Sequence, residues 1–256
     1  MRRFTPLLAT LLISASPVAP IVRVAVIDTG LNLNDPRFTK VLCADGHADY
    51  TGEGIDDIEG HGTAVAGLIM QYAGKRRYCL TILKFYTPLA SGKENMDREV
   101  MAIRRAKELG AKVVNISGGG DKWDQSEYEA IRDAKDVTFI VAAGNGGLDI
   151  DRGNNQAFYP ARYRLPNIKV VGALTQKCGR LWDRSPRSNY GVSVRYWQDG
   201  VNIPVLTPIY GRGIANAAVG AMSGTSMATA IATGRFIAGE LDEWVEGRSP
   251  GNCDRF

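Results

Sequence analysis

The sequence predicts an α/β fold in three layers: an open, mostly parallel sheet with helices on both faces. Three observations carry this. Short apolar runs rich in β-branched residues recur along the chain, bounded by Gly, Pro or polar residues, as strands buried on both faces require. Segments with helix-spaced apolar positions lie between those runs. Strand and helix therefore alternate, and a parallel strand pair needs a crossover long enough to hold a helix.

Taken in order, residues 22–27 read as the first strand, a continuous apolar run broken only by Arg23. Residues 61–72 read as a helix, 79–85 as the second strand, and 97–109 as a helix that Gly110 closes, glycine being the residue that adopts the left-handed conformation past a helix end at least cost. A strand over 112–116, a helix over 126–134 and strands over 137–142 and 168–171 follow. The last helix begins near Ser226 and runs to about residue 244.

Composition bounds the rest. The 256 residues are 45% hydrophobic, enough for one sizeable core, and no low-complexity run divides them. Residues 1–16 read as a signal peptide, with Arg2 and Arg3 ahead of an apolar stretch and Ser14-Ala15-Ser16 as a small-residue cleavage zone. Residues 17–256 then form a single domain in a secreted or periplasmic protein. The apolar stretch is too short for stable membrane insertion. A net charge of +4 includes the two leader arginines, and Lys75-Arg76-Arg77 lacks interleaved aromatics, so no nucleic-acid partner is expected. The oligomeric state is not readable.

Four cysteines, Cys43, Cys79, Cys178 and Cys253, suit an exported chain with two disulfides, and Cys43 with Cys79 and Cys178 with Cys253 is the favoured pairing. No C-x-x-C or H-E-x-x-H is present, and the histidines are His47 and His61, so a metal centre is not expected. His47 reads as an exposed loop histidine.

Three segments carry chemistry: Asp28 in Val26-Ile27-Asp28-Thr29-Gly30, His61 in Gly60-His61-Gly62-Thr63, and Ser226 in Gly224-Thr225-Ser226-Met227-Ala228. A nucleophilic serine needs a base for its proton and a carboxylate to orient that base. Alone, Asp28 could be a turn former at a strand end, His61 a satisfied core histidine, and Ser226 a helix N-cap. Together, in this order and with glycines where a backbone must be approached closely, they specify a hydrolase. These segments, with His61-Gly62-Thr63-Ala64-Val65-Ala66-Gly67, Ala142-Ala143-Gly144-Asn145, Tyr159-Pro160-Ala161 and Ser188-Asn189-Tyr190-Gly191, resemble the subtilisin-like serine proteases. The resemblance runs from about residue 22 to about residue 239.

The resemblance implies a subtilisin-like fold, a secreted serine endopeptidase with catalytic Asp28, His61 and Ser226, and Asn145 as an oxyanion donor. It implies that Ser117, Gly118 and Gly119, with Gly120, pair with an extended protein or peptide substrate, and that Ala142, Ala143 and Gly144 line a substrate pocket. Gly118 stands where family members usually carry a bulkier side chain. Ala230 replaces the usual proline four residues after the nucleophile, and the few residues between Ser16 and the first strand leave no room for the family's pro-domain. Those departures motivate the rival reading, a catalytically idle fold acting as a binding or scaffold protein. The chemistry requires no cofactor. A structural calcium ion is left open by Asp149, Asp151, Asn154 and Asn155 and by Asp56 and Asp57, though solvated loop carboxylates are the favoured reading. An α/β-hydrolase is excluded because its G-x-S-x-G and its Ser, Asp, His order are both missing.

Overall fold

The computed structural model describes residues 20–177, 181–208 and 219–242. The signal-peptide residues 1–16 and the predicted Cys178–Cys253 pair lie outside them. The described elements are, in order, β1 (Val22–Asp28), β2 (Ala48–Asp49), α1 (His61–Tyr72), β3 (Tyr78–Lys84), α2 (Gly92–Glu108), β4 (Val113–Ile116), α3 (Gln125–Asp133), β5 (Thr138–Ala142), β6 (Ile168–Lys177), β7 (Leu181–Arg184), β8 (Val194–Asp199), β9 (Ile203–Leu206), β10 (Val219–Met222) and α4 (Thr225–Ala238).

The main sheet runs β2-β3-β1-β4-β5-β6-β7, and β8 also pairs with β6. Every pairing in it is parallel except β6 with β7; β9 and β10 form a separate antiparallel ribbon. The side chains of β1 alternate between two cores, as a period of two requires. Val24 and Val26 join α1 and α4 with Leu80, Ile82 and Ile140, while Ala25 and Ile27 join α2 and α3 with Leu83, Val114 and Phe139. Helices thus cover both faces, and β1 reads as an apolar run because neither of its faces meets water.

Several boundaries differ from the sequence reading for identifiable reasons. The second helix starts at Gly92 rather than residue 97, because Ser91 and Glu94 close a capping box: Glu94 N–H donates to Ser91 Oγ at 3.2 Å and Ser91 N–H to Glu94 Oε2 at 2.8 Å. The first turn that this box adds is polar, so apolar periodicity could not find it. The last helix stops at Ala238, where Gly239 takes φ 79°, not near residue 244, which lies outside the described residues. Strand β6 continues to Lys177 because β7 and β8 supply further backbone partners. Leu109 caps α2 and Gly110 follows it at φ 71°, as expected.

The Cys43–Cys79 disulfide is formed. It ties the chain after β1 to β3. His47, expected to be exposed, is half-buried and structural: its Nδ1 accepts from Ile82 N–H at 3.0 Å, which leaves Nε2 to donate to the Cys43 carbonyl at 2.9 Å. No helix among the described residues is long and apolar enough to cross a membrane.

Candidate active site

The predicted residues converge at the carboxyl ends of adjacent parallel strands, where open α/β sheets bind ligands. Asp28 ends β1. Ile27 is in register with Ile116 of β4, so Ser117, the next residue, faces Asp28 across one strand spacing of about 4.8 Å.

Asp28 is buried, and its Oδ1 accepts from Thr29 N–H at 2.8 Å and from His61 Nδ1 at 2.7 Å. An ionised carboxylate only accepts, so Nδ1 carries a proton and Nε2 is the ring nitrogen left without a protein partner among the described residues. The Asp28 charge holds the His61 pKa above the ordinary 6.5; burial of the ring pulls it down, and the hydrogen bond that Nδ1 donates to Asp28 and the charge of Asp57 push it up.

His61 is the first residue of α1, and that helix start is fastened to the end of β1. Asp57 Oδ1 accepts from Thr29 Oγ1 and Gly60 N–H, both at 2.8 Å, and its Oδ2 accepts from the N–H and hydroxyl of Thr63, both at 2.7 Å. Thr29 Oγ1 in turn accepts from Gly62 N–H at 2.8 Å. A Cβ at Gly62 would sit 2.3 Å from the Gly30 carbonyl oxygen, so only glycine permits this approach. Asp57 was grouped with the calcium candidates and read as a solvated carboxylate; it is instead buried and satisfies orphan donors at the helix N-terminus.

Ser226 lies in the first turn of α4, preceded by Gly224 at φ 148°. Its own N–H has no protein acceptor among the described residues, as helix geometry dictates there. Its hydroxyl donates to the Ser117 carbonyl at 2.7 Å, and the Ser117 hydroxyl donates back to the Ser226 carbonyl at 3.2 Å. Ser226 is therefore anchored opposite Asp28, but no hydrogen bond joins Ser226 to His61 in this structure.

Asn145 follows β5 and is held by α4. Its Oδ1 accepts from the Thr225 N–H at 2.8 Å and from the Thr225 hydroxyl at 3.1 Å. Only the oxygen can accept from a backbone N–H, so the amide orientation is determined, and Nδ2 has no protein acceptor among the described residues. Gly144 N–H donates to Thr225 Oγ1 at 3.1 Å, and Gly144 takes φ 96° with Asn189 Nδ2 2.4 Å from where a Cβ would be. Buried Asn189 clamps this loop: its Nδ2 donates to the Ala143 carbonyl at 2.8 Å and its Oδ1 accepts from Gly146 and Leu148, both at 3.0 Å. Ala142 and Ala143 are buried behind Gly144.

On the other side, Gly120 exchanges backbone bonds with Tyr159 at 3.0 and 2.7 Å, and a Cβ on Gly119 would lie 2.2 Å from the Tyr159 carbonyl. The amides and carbonyls of Gly118 and Gly119 find no protein partner among the described residues. A Cβ on Gly118 would meet nothing within 4 Å.

A profile of the subtilase family matches residues 21–238. The chain belongs to the subtilase family. This subtilase is 32% identical over 221 residues to the cell wall-associated protease of Bacillus subtilis (strain 168), covering 82% of this chain and 22% of that protein. It is 31% identical over 218 residues to the thermophilic serine proteinase of Bacillus sp. (strain AK1), covering 80% of this chain and 49% of that one. The chain thus spans less than half the length of these curated relatives. Among solved structures it resembles a cold-adapted subtilisin-like serine proteinase, with a TM-score of 0.65, 27% identity, and coverage of 84% of this chain and 74% of that one. A lanthipeptide protease shares the fold at a TM-score of 0.68 and 24% identity, over 85% of this chain and 72% of that one.

The remaining acidic candidates have other partners. Asp151 accepts from the N–H and hydroxyl of Ser193 at 2.8 and 2.6 Å and from Arg164 at 2.8 Å; Asp149 accepts from Asp151 N–H at 3.1 Å. Among the described residues no group of three or more His, Cys, Asp or Glu side chains is arranged to hold a metal ion. Asp57, Thr225 and Asn189 were missed as site residues. Asn189 and Thr225 stood in matched motifs without an assigned role, and Asp57 gave no signal because a loop carboxylate ahead of a helix reads as solvated until its bonds to Thr29 and Thr63 are seen.

Proposed function

We propose that this chain is a serine endopeptidase that cleaves polypeptides through Asp28, His61 and Ser226, with Asn145 as an oxyanion donor. The observation that carries it is the buried Asp28 carboxylate on His61 Nδ1, which leaves Nε2 as a free base on a ring whose pKa is raised. For attack, the Ser226 hydroxyl turns from the Ser117 carbonyl to His61 Nε2, a rotation between staggered wells. His61 takes the hydroxyl proton as Oγ bonds to the carbonyl carbon of the substrate, and the carbonyl oxygen becomes an oxyanion. The Asn145 Nδ2 and the Ser226 N–H, each without a protein acceptor among the described residues, donate to it. His61 then protonates the leaving amine, an acyl-enzyme remains, and water repeats the sequence to release it.

Polypeptide substrates suit the unpaired backbone groups of Gly118 and Gly119, which offer an edge to an extended chain. Ala142, Ala143 and Gly144, which lead from the end of β5 to Asn145, are assigned to the pocket wall. We further propose that residues 1–16 direct export to the periplasm or the exterior, ahead of a single domain from residue 17. The triad supplies its own base, so no cofactor enters the reaction, and Asp149 and Asp151 act as internal braces rather than calcium ligands.

One observation favours the rival idle scaffold: the Ser226 hydroxyl is bonded to Ser117 rather than to His61. Such bonds commonly align only in the substrate complex. Treatment of the folded chain with a fluorophosphonate decides between the two. An adduct on Ser226 that disappears in Ser226→Ala supports the protease; a folded chain that takes up no reagent overturns it.

A further inference from the structure

The one buried lysine or arginine among the described residues has no part in the proposed reaction, yet it stands beside Asp28. Lys84 ends β3 and is 1% exposed. It is in register with Asp28 across the β1/β3 pair, and the N–H of the next residue, Phe85, donates to the Asp28 carbonyl at 3.0 Å. Lysine is almost never fully buried without partners, because an ammonium taken out of water must be answered by acceptors. Lys84 Nζ donates to the Gly54 and Asp56 carbonyls, each at 2.9 Å, and Glu53 Oε2 lies 3.9 Å away. Every one of these groups is an acceptor, which suits an ammonium with three donors and no lone pair.

Those partners belong to the segment that carries the chain from β2 to α1. Residues 50–60 hold no helix or strand, and Gly54 and Asp56 are exposed. Loops of that kind are ordinarily the mobile part of a fold, but this one delivers Asp57 to a buried position. The Lys84 stem runs past Gly30, where a Cβ would sit 3.1 Å from Lys84 Cδ and 2.3 Å from the Ile55 carbonyl oxygen. That Ile55 oxygen accepts from Leu31 N–H at 2.9 Å. Three consecutive carbonyls, those of Gly54, Ile55 and Asp56, are thus fastened by Lys84 and by the residues that follow β1, and Asp57 comes next. Its carboxylate then takes the donors of Thr29, Gly60 and Thr63, and His61 lies between the last two.

We infer that Lys84 is a positioning residue for His61: its ammonium fixes the carbonyls of Gly54 and Asp56, these fix Asp57, and Asp57 fixes the helix start that presents the imidazole to Asp28. No hydrogen bond or ion pair joins Lys84 to His61 or Ser226, so its influence travels through the loop. The effect on rate rests on the protease reading; the effect on the ring's placement does not.

Lys84→Met tests this, because it keeps an unbranched stem and removes all three donors. The NMR chemical shifts of the His61 Nδ1–H group depend on its bond to Asp28 and report the placement of the ring whether or not the chain is active. They are expected to move in Lys84→Met and in the same direction in Asp57→Asn. In the active chain, kcat for peptide hydrolysis is expected to fall about 10²-fold with KM little changed, the effect that a misplacement of about 1 Å has on an oriented reaction. Because both residues act on one helix start, the double variant should lose no more than the worse single one. Lys84→Gln still offers two N–H donors to the loop carbonyls and should keep more of the rate than Lys84→Met; if Lys84→Met does not fold, Lys84→Gln carries the same cycle with Asp57→Asn. The inference is overturned by a folded Lys84 variant whose His61 shifts and kcat match the unsubstituted chain, or by losses that multiply in the double variant. A chain whose His61 shifts respond as expected but which takes up no fluorophosphonate overturns the protease reading and leaves the role of Lys84 standing.

Discussion

The Oδ1 of Asn145 lies 2.8 Å from the backbone nitrogen of Thr225, the residue immediately before Ser226. The proposed nucleophile and the proposed oxyanion donor are therefore not two independent groups. One helix start sets both, because the same first turn of α4 that carries Ser226 also turns the Asn145 amide outward. Asn145→Ala is expected to lower kcat by about 10²- to 10³-fold with KM little changed. A fall in KM-based affinity without loss of kcat would place Asn145 in ground-state binding instead.

Thr225 extends that argument. Its hydroxyl accepts from Gly144 N–H and donates to Asn145 Oδ1, and the residue is fully buried. Thr225→Val keeps the shape and strands the Gly144 N–H, so stability should fall by about 1–3 kcal/mol. Denaturant unfolding measures this, and steady-state kinetics should show kcat falling with it.

Much of this arrangement was legible in the sequence, and the parts that were not share a cause. The interior strands could be read because parallel strands buried on both faces leave continuous apolar runs, as at β1 and β3. Asp28, His61 and Ser226 stood out because glycines flank each of them. Asp57 gave no such sign, since its partner Thr29, 28 residues away, meets it only once β1 and α1 are packed. Glu99 on α2 and Glu127 on α3, both buried, were invisible for the opposite reason: a glutamate on a helix reads as solvated until a second helix is laid over it.

The pH response of activity follows from Asp28 and His61. In the proposed mechanism catalysis needs His61 neutral, and its pKa is raised above 6.5 chiefly by the Asp28 charge. Activity should therefore rise with pH along an acid limb whose midpoint lies above 6.5. Asp28→Asn should move that midpoint downward and cut kcat by about 10⁴-fold, because the amide no longer selects the tautomer that leaves Nε2 free. A limb that stays in place in this variant would mean that another group governs it.

Reduction tests the Cys43–Cys79 link. The bridge closes a loop with a sequence separation of 36, for which the chain-entropy estimate is about 3–4 kcal/mol of stability. A Cys43→Ser, Cys79→Ser chain should lose about that much in denaturant unfolding, while fluorophosphonate labelling of the folded fraction persists, since neither residue touches Asp28, His61 or Ser226.

Glu127 makes the last prediction, and its sign is opposite to that of a salt-bridged acid. Its folded-state pKa is raised from 4.5 to about 7 by burial, so the folded chain holds a proton that the unfolded chain gives up more easily. The stability it contributes is full below about pH 4.5 and is lost as pH rises to about 7. Glutamine keeps an acceptor for the Tyr163 hydroxyl but does not ionise, so Glu127→Gln should flatten this decline and leave the chain relatively more stable above neutrality. Thermal unfolding from pH 4 to 8 checks it. Parallel profiles for the two proteins would mean that a cation already neutralises Glu127 in solution.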